Sequence, residues 1–271
     1  MFSFTVSIDG NQILHDSCRV DFNGNGSYNK AISAVKHYRE HYKPLLSTKM
    51  TISPENINYL YPAVINLINE NFIYINLNCI FEKGWEWHHA SILYKEMIKI
   101  ADYIIDNNLN DKIFVSLFNE DAFVPMEYTE NLNWCGGVNN MMLALHPSGE
   151  LYTCIRYMKS SLNNKQKPLP INNVHNINEV NLEYNKNFEL LSGITRSSQS
   201  SDECIKCPVA AGCAWCSGYN YEEFGTPNKR ATYICCMHKA RALANVYYWN
   251  KIYSKHNIDK EFKNYLSKED I

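Results

Sequence analysis

The spacing of the cysteines constrains this chain more than any other feature of its 271 residues. Eight of the ten cysteines lie between Cys135 and Cys236, and four of these form the run Cys-x2-Cys-x5-Cys-x2-Cys from Cys204 to Cys216. Thiolates are soft ligands that suit zinc or iron–sulfur clusters. The short turn of a Cys-x2-Cys pair also lets its two sulfurs converge on one centre. The pattern therefore predicts a metal-binding domain in the second half of the chain.

Two kinds of metal centre suit such a run. A two-knuckle zinc ribbon separates its pairs by about 15–20 residues, whereas five residues lie between Cys207 and Cys213. Compact multi-cysteine runs are more typical of four-iron clusters, whose ligands are shared between neighbouring centres. The spacing favours iron–sulfur clusters and leaves zinc open. Structural disulfides are the less favoured interpretation, because disulfide scaffolds are normally shorter and exported.

Composition and charge argue against other classes of partner. The formal net charge is -2, so no excess of positive charge indicates a nucleic-acid partner. The sequence has no uninterrupted apolar run of about 18 residues, the length expected of a membrane-spanning helix. Its N-terminus also lacks the pattern of a signal peptide. The sequence therefore predicts a cytoplasmic protein with neither a nucleic-acid nor a membrane partner.

Residues 1 to about 117 alternate between strand and helix patterns, which predicts parallel pairing in an α/β barrel or open sheet. Only about three β/α units are present, whereas a closed eight-unit barrel typically needs about 250 residues. Half a barrel would leave its first strand as an exposed edge. Either another chain covers that edge or the sequence lacks the N-terminal half of a barrel, and we favour the second explanation. The predicted strands are 2–8, 45–52, 72–80 and 112–118, and the predicted helices are 28–41, one beginning after Ser53-Pro54, and 88–107.

The rest of the chain follows a different pattern. Residues 141–145 and 150–153 flank Pro147-Ser148-Gly149, which predicts a β-hairpin. The polar stretch 159–201 predicts a loop-rich connection, and 238–253 predicts a helix. The charged residues after His256 predict a short helix or a frayed end without a function.

The complete cysteine series resembles the SPASM domain of radical SAM peptide maturases. That pattern reads Cys, a gap, Gly-x4-Cys, a long gap, Cys-x2-Cys-x5-Cys-x3-Cys, a gap and Cys. Cys135, Gly149-x4-Cys154, the run from Cys204 and Cys235 follow it, although two residues instead of three separate Cys213 from Cys216. The segments 212–217 and 228–239 resemble the branch of maturases that act on CXXX-repeat peptides.

The resemblance implies an α/β fold with three parts. Residues 1–125 would form the C-terminal half of a radical SAM (β/α) partial barrel, 126–257 a SPASM domain, and 258–271 a charged tail. Two sets of cysteines would bind two auxiliary [4Fe–4S] clusters. The first set is Cys135, Cys154 and Cys216. The second is Cys204, Cys207, Cys213 and one of Cys235 or Cys236, with Cys235 the better match. No cysteine lies at 126–134, so the first cluster would keep one iron open, with Cys79 an outside candidate for its fourth ligand.

Segments of the first half resemble the fourth strand and later units of the radical SAM barrel, and they imply a cofactor site. They are Phe4 to Gly10, His15-Asp16-x2-Arg19, Gly24-x-Gly26-Ser27-Tyr28, Thr51 to Asn56 and Glu82 to Ala90. By this resemblance Ser7 would hydrogen-bond the nucleoside of S-adenosyl-L-methionine. Arg19 would pair with its carboxylate, which a guanidinium binds through two hydrogen bonds.

The function implied is that of a radical SAM maturase acting on a cysteine-containing peptide, with ferredoxin or flavodoxin as the electron donor. The product would carry a thioether or a related side-chain modification, and the catalytic residues stay unassigned. The Cys-x3-Cys-x2-Cys motif that generates the radical is absent, so we expect no activity from this chain alone. Sulfatase-maturing relatives have an aspartate where this chain has Ile155. The alternative is a non-catalytic cluster-binding or zinc-binding module that recognises a peptide or a partner protein.

Overall fold

The structure is a computed structural model that describes residues 5–126, 135–139 and 141–267. Within these residues the first part of the chain contains a four-stranded parallel sheet in the order β1-β2-β3-β4. A 3-10 helix at Pro54–Tyr59 precedes the third α-helix. In chain order the elements are β1 (Val6–Ser7), α1 (Gln12–Cys18), α2 (Tyr28–His41), β2 (Ser47–Ile52), α3 (Leu60–Asn69), β3 (Tyr74–Cys79), α4 (Trp87–Asp106) and β4 (Phe114–Val115).

The pairing of β2 with β3 forms the centre of this sheet. The two strands run parallel over six residue pairs, from Ser47 opposite Tyr74 to Ile52 opposite Cys79. Parallel neighbours need a long crossover connection, which here contains α3. Met50, Ile52 and Ile75 are fully buried. The prediction of an α/β fold with parallel strands is thus confirmed, although the strand predicted at 112–118 is limited to β4.

Helix α1 occupies residues for which the sequence predicts a loop. Asn11 begins it by accepting a hydrogen bond of 3.0 Å from the backbone N–H of Leu14, as N-terminal capping residues do. Only Leu14 and His15 are buried in this seven-residue helix. So short a helix shows too little apolar periodicity to be recognised from the sequence.

The second part of the chain contains a small antiparallel sheet and short helices. In chain order these are β5 (Ala144–Leu145), β6 (Glu150–Tyr152), β7 (Asn172–Asn173), α5 (Leu182–Ser192), α6 (Arg196–Gln199), α7 (Asp202–Ile205) and α8 (Ser217–Phe224). Pairing of β5 with β6 confirms the predicted hairpin. The prediction of a loop-rich connection is wrong over α5. Asn181 caps that helix by accepting from the N–H groups of Glu183 and Tyr184.

The last helix, α9 (Cys235–Lys255), belongs to the same compact unit as the parallel sheet. This first unit consists of Met1–Ala122 and Tyr233–Ile271, and the second unit is Phe123–Thr232. The sequence assigns α9 to the cluster domain at 126–257, and those domain boundaries stay a prediction. Asn245 of α9 is fully buried, accepts from Asn119 N–H at 2.8 Å and donates to the carbonyl oxygen of Leu117 at 2.9 Å.

Residues 258–267 have no regular secondary structure, yet they are anchored to α9. Phe262 and Leu266 are buried, and Asn250 exchanges two hydrogen bonds with the backbone of Phe262. The prediction of a short helix is wrong for 258–267, and the buried Phe262 and Leu266 argue against the alternative of a frayed end. Among the described residues, no helix combines the length and the apolar character that crossing a membrane requires.

Asp102 joins α4 to α9 and makes the stability of the first unit depend on pH. Its carboxylate accepts from Tyr247 Oη at 2.7 Å and from Lys251 Nζ at 2.8 Å. Burial alone would raise the pKa of Asp102, but these two hydrogen bonds outweigh burial and lower it.

We expect Asp102→Asn to cost at most about 1 kcal/mol at neutral pH, because solvent screens this partly exposed ion pair. A lowered folded pKa means that the stabilisation is complete above the ordinary carboxyl value of 3.8 and disappears as the pH falls through the folded value. Urea unfolding of both proteins at several pH values measures this difference. A difference that persists in strong acid would contradict the assignment.

Candidate functional site

Three of the predicted cluster ligands approach one another in the second unit, and a glycine brings the first two together. A Cβ atom added to Gly137 would lie 3.0 Å from Cβ of Cys154 and 3.6 Å from Sγ of Cys135. The first of these distances is tighter than an ordinary van der Waals contact. Glycine at 137 therefore allows the backbone after Cys135 to lie directly against Cys154.

Helix α8 places the third cysteine of this set. Cys216 is the residue at which the helix begins, and its Sγ accepts from the N–H of Tyr219 at 3.4 Å. A side chain on Gly218 would overlap Cβ of Arg156. The 3-10 helix Ile155–Tyr157, directly after Cys154, is therefore packed closely against the first turn of α8.

Tyr157 lies among these three thiols. Its side chain is fully buried, and its hydroxyl has no hydrogen-bond partner among the described residues. Burial raises the pKa of Tyr157 most, and the neighbouring Cys135, Cys216 and Cys154 thiolates raise it further. Buried hydroxyls normally have a partner, and the sulfur atoms of an iron–sulfur cluster accept hydrogen bonds. Tyr157 otherwise packs in a hydrophobic cluster, with Cys135 and Cys154 against it. The unsatisfied donor and the neighbouring thiols fit an iron–sulfur cluster.

The same environment changes the acidity of the third cysteine. Burial raises the pKa of the Cys216 thiol to about 11, against the opposing effects of the Tyr219 N–H and of Arg156. Cys135 and Cys154 raise it further. Binding of iron would replace the proton, because a metal ligand must be a thiolate.

A pair of conservative substitutions tests the environment of Tyr157. In the metal-free chain we expect Tyr157→Phe to be neutral or to stabilise by about 1 kcal/mol, since it removes a buried, unpaired hydroxyl. Tyr221→Phe is the matched control, because the Tyr221 hydroxyl donates to the carbonyl oxygen of Lys167 at 2.9 Å. That control should cost about 1 kcal/mol. Urea unfolding measures both, and equal losses would show that the Tyr157 hydroxyl is bonded.

A series of turns positions the second set of thiols. Ser201 begins α7 by accepting a hydrogen bond from Cys204 N–H at 3.4 Å. Ala210 N–H then donates to the carbonyl oxygen of Cys207 at 3.1 Å, and Cys213 N–H to that of Ala210 at 3.3 Å. Desolvation raises the pKa of the Cys213 thiol, nearby Arg230 opposes this, and Cys207 and Cys204 raise it further. The thiol of Cys213 therefore interacts with the thiols of Cys204 and Cys207 and with the guanidinium of Arg230.

The chemistry of both sets suits iron–sulfur clusters. Among the described residues, no three His, Cys, Asp or Glu side chains form a group that could hold a single metal ion. A four-iron cluster differs from one ion in that each of its thiolates binds a separate iron atom. Such clusters take soft thiolates as ligands, and both sets consist of cysteines.

The remaining cysteines lie in the first unit. Cys235 and Cys236 form the start of α9, where Cys235 is partly buried and Cys236 is buried. The choice between them as the fourth ligand of the second cluster stays a prediction. Cys79 is 2% exposed, and burial raises its pKa to about 11, as predicted for a small apolar residue. Cys18 is exposed.

The predicted S-adenosyl-L-methionine ligands belong to the first unit. Ser7 is exposed on β1. Arg19 lines a cavity of about 270 Å³ with Asp9, Thr51 and other residues of the first unit. Its Nε and Nη2 donate to the buried Asp9 carboxylate at 2.5 and 3.3 Å. The pairing of Arg19 with the carboxylate of S-adenosyl-L-methionine stays a prediction; in this structure its guanidinium binds the carboxylate of Asp9.

Two residues of the site escape the sequence analysis. Tyr157 is one of 19 tyrosines, and nothing in its neighbours distinguishes it. Arg230 lies in the segment 228–239, which resembles a branch of the maturase family, but that resemblance assigns no role to the arginine. Tyr157 follows Cys154 by three residues, but its other cysteine neighbours, Cys135 and Cys216, are distant in sequence. Arg230 binds the backbone of Cys213, 17 positions earlier, so no local signal identifies either residue.

Solved structures of anSMEcpe, an anaerobic sulfatase-maturating enzyme, share the fold of this chain. The match to anSMEcpe with bound AdoMet has a TM-score of 0.59 at 14% identity and covers 95% of this chain and 67% of that one. For native anSMEcpe with bound AdoMet and Kp18Cys peptide the TM-score is 0.55 at 14% identity, covering 93% and 68%. No protein-family model matches the sequence, and no curated protein sequence is similar to it. The predicted resemblance to radical SAM maturases is confirmed at the level of the fold.

Proposed function

We propose that this chain forms part of a radical SAM maturase and binds two auxiliary [4Fe–4S] clusters that serve a cysteine-containing peptide substrate. One observation carries the proposal: two separate sets of three thiols occur in a unit of a chain with a maturase fold. Cys135, Cys154 and Cys216 would bind the first cluster. Cys204, Cys207 and Cys213 would bind the second, with Cys235 or Cys236.

The first unit would supply the radical SAM part of the enzyme. Parallel strands in consecutive order support a partial (β/α) barrel at 1–125, followed by a SPASM domain at 126–257. Ser7 and Arg19 remain the proposed contacts to S-adenosyl-L-methionine. For Arg19 to bind the cofactor carboxylate, it would have to share its guanidinium with Asp9 or release it.

The first thiol set has a consequence for substrate binding. A four-iron cluster has four positions for ligands, and this set offers three cysteines. When bound, the auxiliary clusters would supply electron transfer and an iron position for a thiolate. We propose that a cysteine of the peptide occupies the open position, and that the product is a thioether or a related side-chain modification. Identification of a fourth protein ligand on the first cluster would contradict this.

The chemistry would differ from that of the sulfatase-maturing relatives at one position. Those relatives have a carboxylate base directly after the second cysteine, where this chain has Ile155, which is 61% exposed. An isoleucine accepts no proton, so this chain offers no base there. The electron donor would be a small redox protein such as ferredoxin or flavodoxin.

The first experiment is to purify the chain anaerobically and to measure iron, zinc, sulfide and visible absorption. About eight irons and eight sulfides per chain would support two four-iron clusters. One or two zinc ions without colour would contradict the proposal and favour a structural metal module.

The second candidate function is a non-catalytic metal module that recognises a peptide or a partner protein. The observation that favours it is the absence of a Cys-x3-Cys-x2-Cys motif from the sequence. Zinc content together with peptide binding would support this alternative. Two clusters in the chain, and cleavage of S-adenosyl-L-methionine once the radical cluster is supplied, would support the enzyme.

A further inference from the structure

Arg230 is a buried cation in the second unit for which the ligand sets give no role. Its side chain is 6% exposed. Its backbone N–H donates to the carbonyl oxygen of Gln199 at 2.9 Å, which fixes its place in the fold. The Cζ atom lies 4.2 Å from the centre of the buried Trp215 ring. That ring covers one side of the guanidinium and keeps water from it.

The hydrogen bonds of this guanidinium go to neutral oxygen atoms. Nη1 donates to Ser200 Oγ at 3.0 Å, and Nη2 donates to the carbonyl oxygens of Cys213 at 2.9 Å and Ala210 at 3.5 Å. Nε has no hydrogen-bond partner among the described residues. Carbonyl and hydroxyl oxygens satisfy donors but do not neutralise a buried charge.

The carbonyl oxygens that Arg230 binds belong to the loop that carries the second set of thiols, which can become negatively charged. Nη2 of Arg230 donates to the carbonyl oxygen of Cys213 at 2.9 Å, so the guanidinium lies next to a residue that carries one of these thiols. Backbone hydrogen bonds connect Cys204 to Cys207 at 3.4 Å, Cys207 to Ala210 at 3.1 Å and Ala210 to Cys213 at 3.3 Å, so one series of turns holds the three cysteines together. The guanidinium is therefore adjacent to the second set of thiols.

We propose that Arg230 is the buried counter-cation of the second cluster and raises the reduction potential of that cluster. This inference rests on the proposed function, since it requires a cluster on these thiolates. Reduction adds one electron to a group that its thiolates already make anionic. A buried cation beside it therefore stabilises the reduced form more than the oxidised form. Arg230 tunes and positions the site and is not itself a ligand.

A redox titration followed by electron paramagnetic resonance tests this on the reconstituted full chain. Arg230→Gln removes the charge and keeps a donor, whereas Arg230→Lys keeps the charge and loses the planar fork. Lys229→Gln is the control, because it removes the charge of an exposed neighbouring residue, which solvent screens. The signal of the second cluster is identified by its absence in Cys213→Ser.

We expect Arg230→Gln to shift the midpoint potential of the second cluster to a more negative value and to leave the first cluster unchanged. Arg230→Lys should stay near the wild type, and Lys229→Gln should match it. An unshifted potential in Arg230→Gln, or an equal shift in the control, would overturn the inference. Loss of the second cluster from both Arg230 variants would overturn the inference as well. In that case the role of Arg230 would be to hold the backbone at 210–213 through its hydrogen bonds. If the wild type itself binds no iron and sulfide, the proposed function fails.

Discussion

Replacing Cys216 with serine should remove about four of about eight irons from the reconstituted chain and eliminate one of two cluster signals. Serine is a harder and far less acidic ligand than cysteine, so it holds iron poorly. Cys213→Ser, three residues away, should remove the other signal. The reason is that the Cys216 thiol neighbours Cys135 and Cys154, whereas the Cys213 thiol neighbours Cys204 and Cys207. Iron analysis and electron paramagnetic resonance of each variant measure these losses.

Two further variants test which cysteines bind the same cluster. Cys135→Ser should reproduce the spectrum of Cys216→Ser, although 81 positions separate the two residues in the sequence. Cys18→Ser is the control, because this exposed thiol belongs to neither set. The assignment is wrong if Cys135→Ser resembles Cys213→Ser, or if Cys18→Ser loses iron as well.

The second large effect is expected at Gly10, which follows β1. The glycine has a φ of 84°, and a Cβ atom there would lie 2.7 Å from the backbone Cα of Ala63 in α3. Gly10→Ala therefore combines a left-handed backbone, which costs a side chain about 1 kcal/mol, with overpacking of about 1–3 kcal/mol. We expect a total loss of about 2–4 kcal/mol in the free energy of unfolding, measured by urea titration.

Gly24 provides the matched control for this substitution. Its φ of 82° is nearly the same, but no heavy atom lies within 4 Å of the position of an added Cβ. Gly24→Ala should therefore show the backbone cost alone, about 1 kcal/mol. Similar losses in both variants would mean that the loop around Gly10 moves away from α3 without cost.

The sequence predicts those elements whose apolar periodicity extends over several turns or strand residues. Helices α2, α4 and α9 and the hairpin of β5 and β6 belong to this class. Helix α5 escapes prediction because Asn187 and Leu191 are its only buried residues, whereas its apolar residues Leu182, Phe188 and Leu190 are exposed and form no buried stripe. Tertiary packing, which no local pattern records, stabilises such a helix.

The grouping of thiols shows the same limit within the site. Local spacing alone would pair Cys213 with Cys216 as a Cys-x2-Cys unit. Their neighbours in the structure differ: Cys216 begins α8 and is near Tyr157, whereas Arg230 binds the carbonyl oxygen of Cys213. The family resemblance implies this interleaving, but the spacing does not. Tyr157 and Arg230 are recognised only when contacts between distant parts of the chain are known.

The first unit is discontinuous in sequence, and this affects how the protein is made. The chain leaves that unit after Ala122 and re-enters it at Tyr233, so α9 leaves the ribosome only after the whole second unit has been translated. Contacts between residues so far apart, such as Asp102 with Lys251, form late because closing a long loop is entropically costly. The six cysteines of the second unit are therefore synthesised before the first unit can complete its core.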